Sequence, residues 1–136
     1  MRICEKLYDS KENNFLMESN LIRPMQTQID AKMTTVDLTG AVIRFAELEG
    51  VNLNYANLTN CDFSHSSLFG ADLSGAILNG AKLFNTDLQQ ANLENTQLKN
   101  VDFSQCRVAG AIFANAEGLS RSQKRWLKNN GALDVF

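Results

Sequence analysis

The chain has 136 residues, 44% of them hydrophobic, 21% charged and 8% aromatic, with a formal net charge of −2. That is one domain's worth of sequence, long enough to bury a core, and a balance this near neutrality argues against a nucleic-acid surface, which needs clustered Lys and Arg to displace phosphate counterions. Eight glycines, six of which (Gly40, Gly50, Gly70, Gly75, Gly80 and Gly110) stand multiples of five apart, and a single proline argue against an ordinary helix bundle or open α/β domain and for a repeat.

Residues 1–30 carry no period and are read as an amino-terminal flank that caps the repeat region. Ile3, Leu7, Phe15, Leu16, Leu21 and Ile22 are spaced for one or two short helices ended by Pro24, with Met25 and Ile29 in an extended lead-in. Glu5, Lys6, Asp9, Lys11 and Glu12 interrupt any apolar run, so no secretion signal is expected. No transmembrane span is expected either, which places the chain in the cytoplasm.

Residues 31–115 divide into 17 consecutive blocks of five without a slip: AKMTT, VDLTG, AVIRF, AELEG, VNLNY, ANLTN, CDFSH, SSLFG, ADLSG, AILNG, AKLFN, TDLQQ, ANLEN, TQLKN, VDFSQ, CRVAG and AIFAN. The third position is always large and apolar, from Met33 and Leu38 through Leu73 to Phe113, and the first is small or β-branched. A period of five fits neither the 3.6 of a helix face nor the 2 of a strand face, so the chain must turn after every block. The first and third positions share one side of a short extended piece, and the fifth changes direction. Six blocks end in Gly and five in Asn (Asn60, Asn85, Asn95, Asn100, Asn115), the residues that best accept the positive φ of a type II turn. Four such corners close a square coil of 20 residues.

ANLTN, ADLSG, AKLFN and ANLEN resemble the A(D/N)LXX signature of pentapeptide-repeat proteins, and the resemblance covers 85 residues. It implies an all-β solenoid, a right-handed quadrilateral β-helix of about four coils, roughly 20 Å tall at the usual spacing of neighbouring strands. Departures are mild: Ser66, Cys61 and Cys106 stand at the small first position, and Val42, Ile77 and Ile112 put apolar groups at the usually polar second.

Residues 116–136 read as a helical carboxy-terminal cap. Ser120 and Gln123 match a capping box, residues 121–130 hold no helix breaker, and Gly131 suits the position after a helix. Leu119, Trp126, Leu127, Leu133 and Phe136 are expected to plug the last coil. The tail sums to +2, and Arg121, Lys124, Arg125 and Lys128 read either as a docking surface or, in the plainer reading, as an ordinary solvated helix face with cations toward its carboxy end.

Reactive groups lack positioned partners. Cys61 and Cys106 are inward first-position residues in different columns, too far apart for a disulfide and expected as buried thiols, and Cys4 lies in the flank. The single histidine, His65, projects outward while Cys61 of the same block points in, so the two cannot share a metal or act as nucleophile and base. Asp62 and Asp102, two coils apart with Lys82 between them, read as a surface charge ladder. No glycine-rich phosphate loop is present, since the glycines are corners. The expectation is a chain without catalytic residues, metal or cofactor.

Surface recognition remains. The wall built on Ile43, Phe63, Leu83 and Phe103 displays Val42, Arg44, Phe45, His65 and Phe84, a mixture of aromatic and Arg groups of the kind that anchors interfaces. The expected function is therefore a non-enzymatic scaffold, a monomer or weak homodimer, that binds a protein and neither nucleic acid nor membrane. The resemblance implies two more specific roles: a mimic of DNA that binds type II topoisomerase such as gyrase and protects it from inhibitors, and a regulator of bacterial development or signalling. The first wants a long acidic rod, whereas residues 31–115 carry five positive against eight negative charges on a short tower.

Overall fold

The computed structural model describes residues 8–9, 14–15 and 36–136. In the flank, β1 (Tyr8–Asp9) pairs antiparallel with β2 (Asn14–Phe15), Tyr8 opposite Phe15. Phe15 is thus in a strand, not in the expected short helix. The four polar residues between the strands, Ser-Lys-Glu-Asn, have the composition of a hairpin connection and none of a helix's apolar period. The other helix residues expected there (Ile3, Leu7, Leu16, Leu21, Ile22), the lead-in at Met25 and Ile29, Cys4 and the block at 31–35 lie outside the described residues.

From residue 36 to residue 115 the blocks follow one pattern, with one open corner at Phe45. First and third positions are buried throughout, the fifth has φ between 53° and 75°, and in most blocks the amide of the next block's first residue closes the turn on the third-position carbonyl, as in Ala76 N to Leu73 O at 3.0 Å. At the open corner Ala46 N donates instead to Ser66 Oγ at 3.0 Å. Positive φ at the third residue of each four-residue turn and not at the second is the type II pattern. Each second-position residue forms a parallel bridge with the residue 20 positions on, from Asp37 with Asn57 to Gln97 with Glu117. Around each bridge the backbone bonds alternate between coils: Leu73 N donates to Asn92 O at 2.8 Å, and Asn92 N donates to Ala71 O at 2.9 Å. Four blocks therefore bring the chain back over itself, and the third-position side chains stack inside as one column per side.

Second-position Asp and Asn residues have a task that their exposure hides. Asp72 Oδ1 accepts the amide of Ser74 at 3.0 Å and its hydroxyl at 2.7 Å, and Asn57 and Asn92 accept the amides of Thr59 and Glu94 in the same way. This Asx turn satisfies the fourth-position N–H, which the turn withdraws from the ladder. Asp72→Ala should therefore lower stability by about 1 kcal/mol while Asp72→Asn leaves it unchanged, a difference that thermal unfolding of the two variants will measure.

Four inward polar groups are satisfied by a second regularity, while buried Thr96 donates within its own coil to Leu93 O at 2.7 Å. Ser66 Oγ donates to Ile43 O at 2.7 Å, Thr86 Oγ1 to Phe63 O at 3.0 Å, Cys61 Sγ to Leu38 O and Cys106 Sγ to Leu83 O, both at 2.8 Å. In each case the acceptor lies 23 residues earlier, at the third position of the preceding coil. Among the described residues no buried side-chain nitrogen or oxygen lacks a partner, which is why small polar first-position residues are tolerated in the core.

At the carboxy end Glu117 still bridges Gln97, and helix α1 (Arg121–Asn129) comes next. Ser120 is its N-cap: the hydroxyl accepts from Gln123 N at 3.1 Å and Ser120 N donates to Gln123 Oε1 at 2.9 Å. Gln123 Nε2 also donates to Val101 O at 2.6 Å, tying the first turn of the helix to the coil beneath. Leu127 is fully buried, and Leu119 and Trp126 pack partly against the core. Leu133 and Phe136, expected as plugs, are 50% and 83% exposed. Leu133 bridges Ile112, a second-position residue, and so takes the outward register. Positive φ at Asp134 then redirects the chain, and the buried side chain is Val135. Among the described residues no helix is long and apolar enough to cross a membrane.

Candidate functional site

Residues 45, 65 and 85 occupy the fifth position of three successive coils, so their side chains project from one edge at the spacing of the ladder. That spacing is about 4.8 Å, and the rings of Phe45 and His65 stack with centroids 4.9 Å apart and planes 5° from parallel. Aromatic stacking here is a direct consequence of the coil repeat. Phe84, at the fourth position one coil on, meets His65 edge-on at 5.5 Å, and Asn85 Nδ2 lies 3.1 Å from His65 Nδ1. The guanidinium of Arg44 sits 5.6 Å from the centre of the Phe45 ring, and Arg44 Nε is 3.8 Å from Asp62 Oδ2. Val42 is half-buried on the same wall, its backbone bridged to Asp62. The five residues singled out from the sequence thus lie on three adjacent coils, with Arg44, Phe45, His65 and Phe84 in contact as one chain of groups.

The cluster is not folded down into apolar cover: Phe45 is 72% exposed and Phe84 52%. Phe45 and His65 hold φ of 57° and 63°, a region that suits Gly and Asn and costs a bulky residue about 1 kcal/mol or more. For Phe45 little of that cost is offset by burial. Asn85 was not singled out from the sequence, although it stands 20 residues after His65. Tyr55 was also missed. It is 65% exposed and lies over Gly75, where an added Cβ would come 2.5 Å from the ring, so Tyr55 followed 20 residues later by Gly was its signal.

Elsewhere the ionisable groups have structural explanations. The hydroxyl and amide of Ser104 hold the Asp102 carboxyl below its ordinary value, which makes Asp102 another Asx-turn acceptor. Asp62, Lys82 and Asp102 stack in one column as expected; within it Asp62 accepts the Ser64 amide at 3.0 Å and its ion pair is with Arg44. Burial pushes the Cys106 thiol up to about 12, the opposite of an activated nucleophile. A recess of about 290 Å³ lies where α1 meets the last coil, between Asp102, Phe103 and Ser104 on one side and Ser122, Gln123 and Trp126 on the other. Its Gln123 amide group is already bonded to Val101 O and Ser120 N.

Three solved structures illustrate what the chain is similar to. HetL, a pentapeptide repeat protein involved in heterocyst differentiation regulation from the cyanobacterium Nostoc sp. strain PCC 7120, is 27% identical, with a TM-score of 0.43 over 62% of this chain and 56% of HetL. The alr5209 protein of Nostoc PCC 7120 is 21% identical, with a TM-score of 0.46 over 80% of this chain and 92% of that one. QnrB1, a plasmid-mediated fluoroquinolone resistance protein, is 18% identical, with a TM-score of 0.37 over 62% and 58%. The chain thus spans little more than half the length of HetL. No curated protein sequence matches it. The family model for pentapeptide repeats matches eight copies over residues 46–83 and 76–115, half of the chain. With the block regularity seen in every coil, that match establishes that the chain belongs to the pentapeptide-repeat family.

Proposed function

We propose that the chain is a non-enzymatic scaffold, a right-handed four-sided solenoid capped by α1, that binds a protein partner in the cytoplasm through the wall of Val42, Arg44, Phe45, His65 and Phe84. The observation that carries this reading is the exposed, pre-stacked set of rings. Its members are fixed by the backbone ladder before any partner arrives, so binding loses little side-chain freedom. Aromatic and Arg groups so arranged match the composition of interface anchors. Cys61 and Cys106, buried as thiols, agree with a reducing compartment.

The test is Phe45→Ser combined with Phe84→Ser. Both side chains are exposed, so the thermal midpoint should stay within a few degrees of wild type, while cross-linking to a partner in host extract, or self-association, should fall at least tenfold. Unfolding of the double variant would show instead that the rings are structural, and retained cross-linking would place the partner elsewhere. A gyrase supercoiling assay with the pure protein is expected to show neither inhibition nor protection from drugs, because the seven carboxylates of residues 36–98 are spread around the coils.

A further inference from the structure

Helix α1 carries two stripes. Gln123, Trp126 and Leu127 recur at the spacing of one helix face, and that face lies against the last coil. Arg121, Lys124, Arg125 and Lys128 recur at i, i+3, i+4 and i+7 on the opposite side. They form a line of four cations about 10 Å long. None of the four is in an ion pair; among the described residues those pairs are Arg44 with Asp62 and Arg107 with Asp87. No acidic residue stands in the first turn, where Arg121 faces the positive end of the helix dipole. Capping alone would be better served by an acidic residue there. Meanwhile residues 36–98 carry seven carboxylates against only Arg44 and Lys82, so positive charge is concentrated at the carboxy end of an otherwise acidic tower.

We propose that this stripe is a docking site for an acidic protein segment, a helix or strand presenting four carboxylates over a matching length of about 10 Å. Charge complementarity fixes the sign of the partner, and two features fix its kind. Trp126 and Leu127, the apolar face of α1, are engaged with the coil and cannot enter a lipid layer, which an interfacial helix requires. A nucleic acid extends its charge far beyond the stripe and would run onto the acidic coils, whereas a short acidic segment ends where the cations end. The stripe shares no residue with the aromatic cluster, and the proposal does not depend on the function proposed for that cluster.

The experiment uses the whole chain and a labelled helical peptide with glutamates at i, i+3, i+4 and i+7, monitored by fluorescence anisotropy. A short DNA duplex and phosphatidylserine vesicles are run in parallel. Saturable binding of the peptide is expected, weakened at least tenfold in the Arg121→Gln, Arg125→Gln double variant and again between about 0.05 and about 0.5 M salt. The Phe45→Ser, Phe84→Ser chain should bind the peptide as wild type does. The thermal midpoint of the arginine variant should equal or exceed that of wild type, because a cation has left the helix amino terminus; this separates lost recognition from lost folding. Undiminished binding by that variant, no saturable binding by wild type, tighter binding of the duplex or the vesicles, or sedimentation showing that the stripe joins two copies of this chain would each overturn the proposal.

Discussion

Leu73→Ala is expected to lower stability by about 2–5 kcal/mol, the range for truncating a fully buried leucine in a core that cannot collapse around the cavity. Leu73 is 0% exposed and stacks in one column between Leu53 and Leu93. The coil around it is held by backbone bonds at fixed spacing, Leu73 N to Asn92 O and Gly75 N to Glu94 O, both 2.8 Å. Walls tied in this way cannot move inward to fill the space. Because each coil contacts only its neighbours, the loss falls on two interfaces at mid-tower and cannot be shared across a larger core. A fall in thermal midpoint of the order of 10 °C is expected by circular dichroism. An unchanged midpoint would mean that Leu73 does not occupy the interior column, and the 20-residue stacking would be wrong with it.

That register was readable from sequence because a solenoid repeats its physics as well as its residues. A large apolar residue at the third position and a positive φ at the fifth, most often met by Gly or Asn, each answer one local requirement, a buried column and a corner, and both recur along the described blocks. Features that depend on relations between coils were harder to read. Asp72 and Asn92 looked like exposed polar residues, since nothing in composition separates a solvated carboxylate from one that accepts the Ser74 amide. Ser66, Cys61 and Cys106 looked like departures from a small apolar position until the carbonyl 23 residues earlier supplied an acceptor. At the candidate site Phe45, His65 and Phe84 could be placed on one wall by counting, but their stacking depends on the side-chain direction set at the corner, and Asn85 joins only through His65. Irregular segments were least legible. Leu133 was expected inward for its size, yet its bridge to Ile112 puts it outward and leaves Val135 to be buried.

The passage from coil to helix turns on Gly118, and its replacement separates backbone crowding from backbone strain. All three of Gly40, Gly75 and Gly118 have positive φ, at 74°, 69° and 90°. A Cβ on Gly40 would meet nothing within 4 Å, so Gly40→Ala should cost only the conformational penalty of about 1 kcal/mol. On Gly75 it would strike the ring of Tyr55, an exposed side chain that can swing away. On Gly118 it would stand 2.6 Å from Lys99 N and 2.9 Å from Lys99 Cα, and that backbone has no room to yield. Lys99 N donates to Asn79 Oδ1 at 2.9 Å and the adjacent Leu98 N donates to Glu117 O at 2.8 Å, so displacement breaks the ladder where the last repeat hands the chain to α1. Gly118→Ala is therefore expected to cost about 3 kcal/mol or more, with Gly75→Ala between the other two. Because Trp126 is the single tryptophan and packs partly against the core, loosening of α1 should appear as a red shift of its emission below the global unfolding temperature. Equal midpoints for the Gly40 and Gly118 variants would show that Gly118 is retained only for its φ and that the Lys99 backbone is free to move.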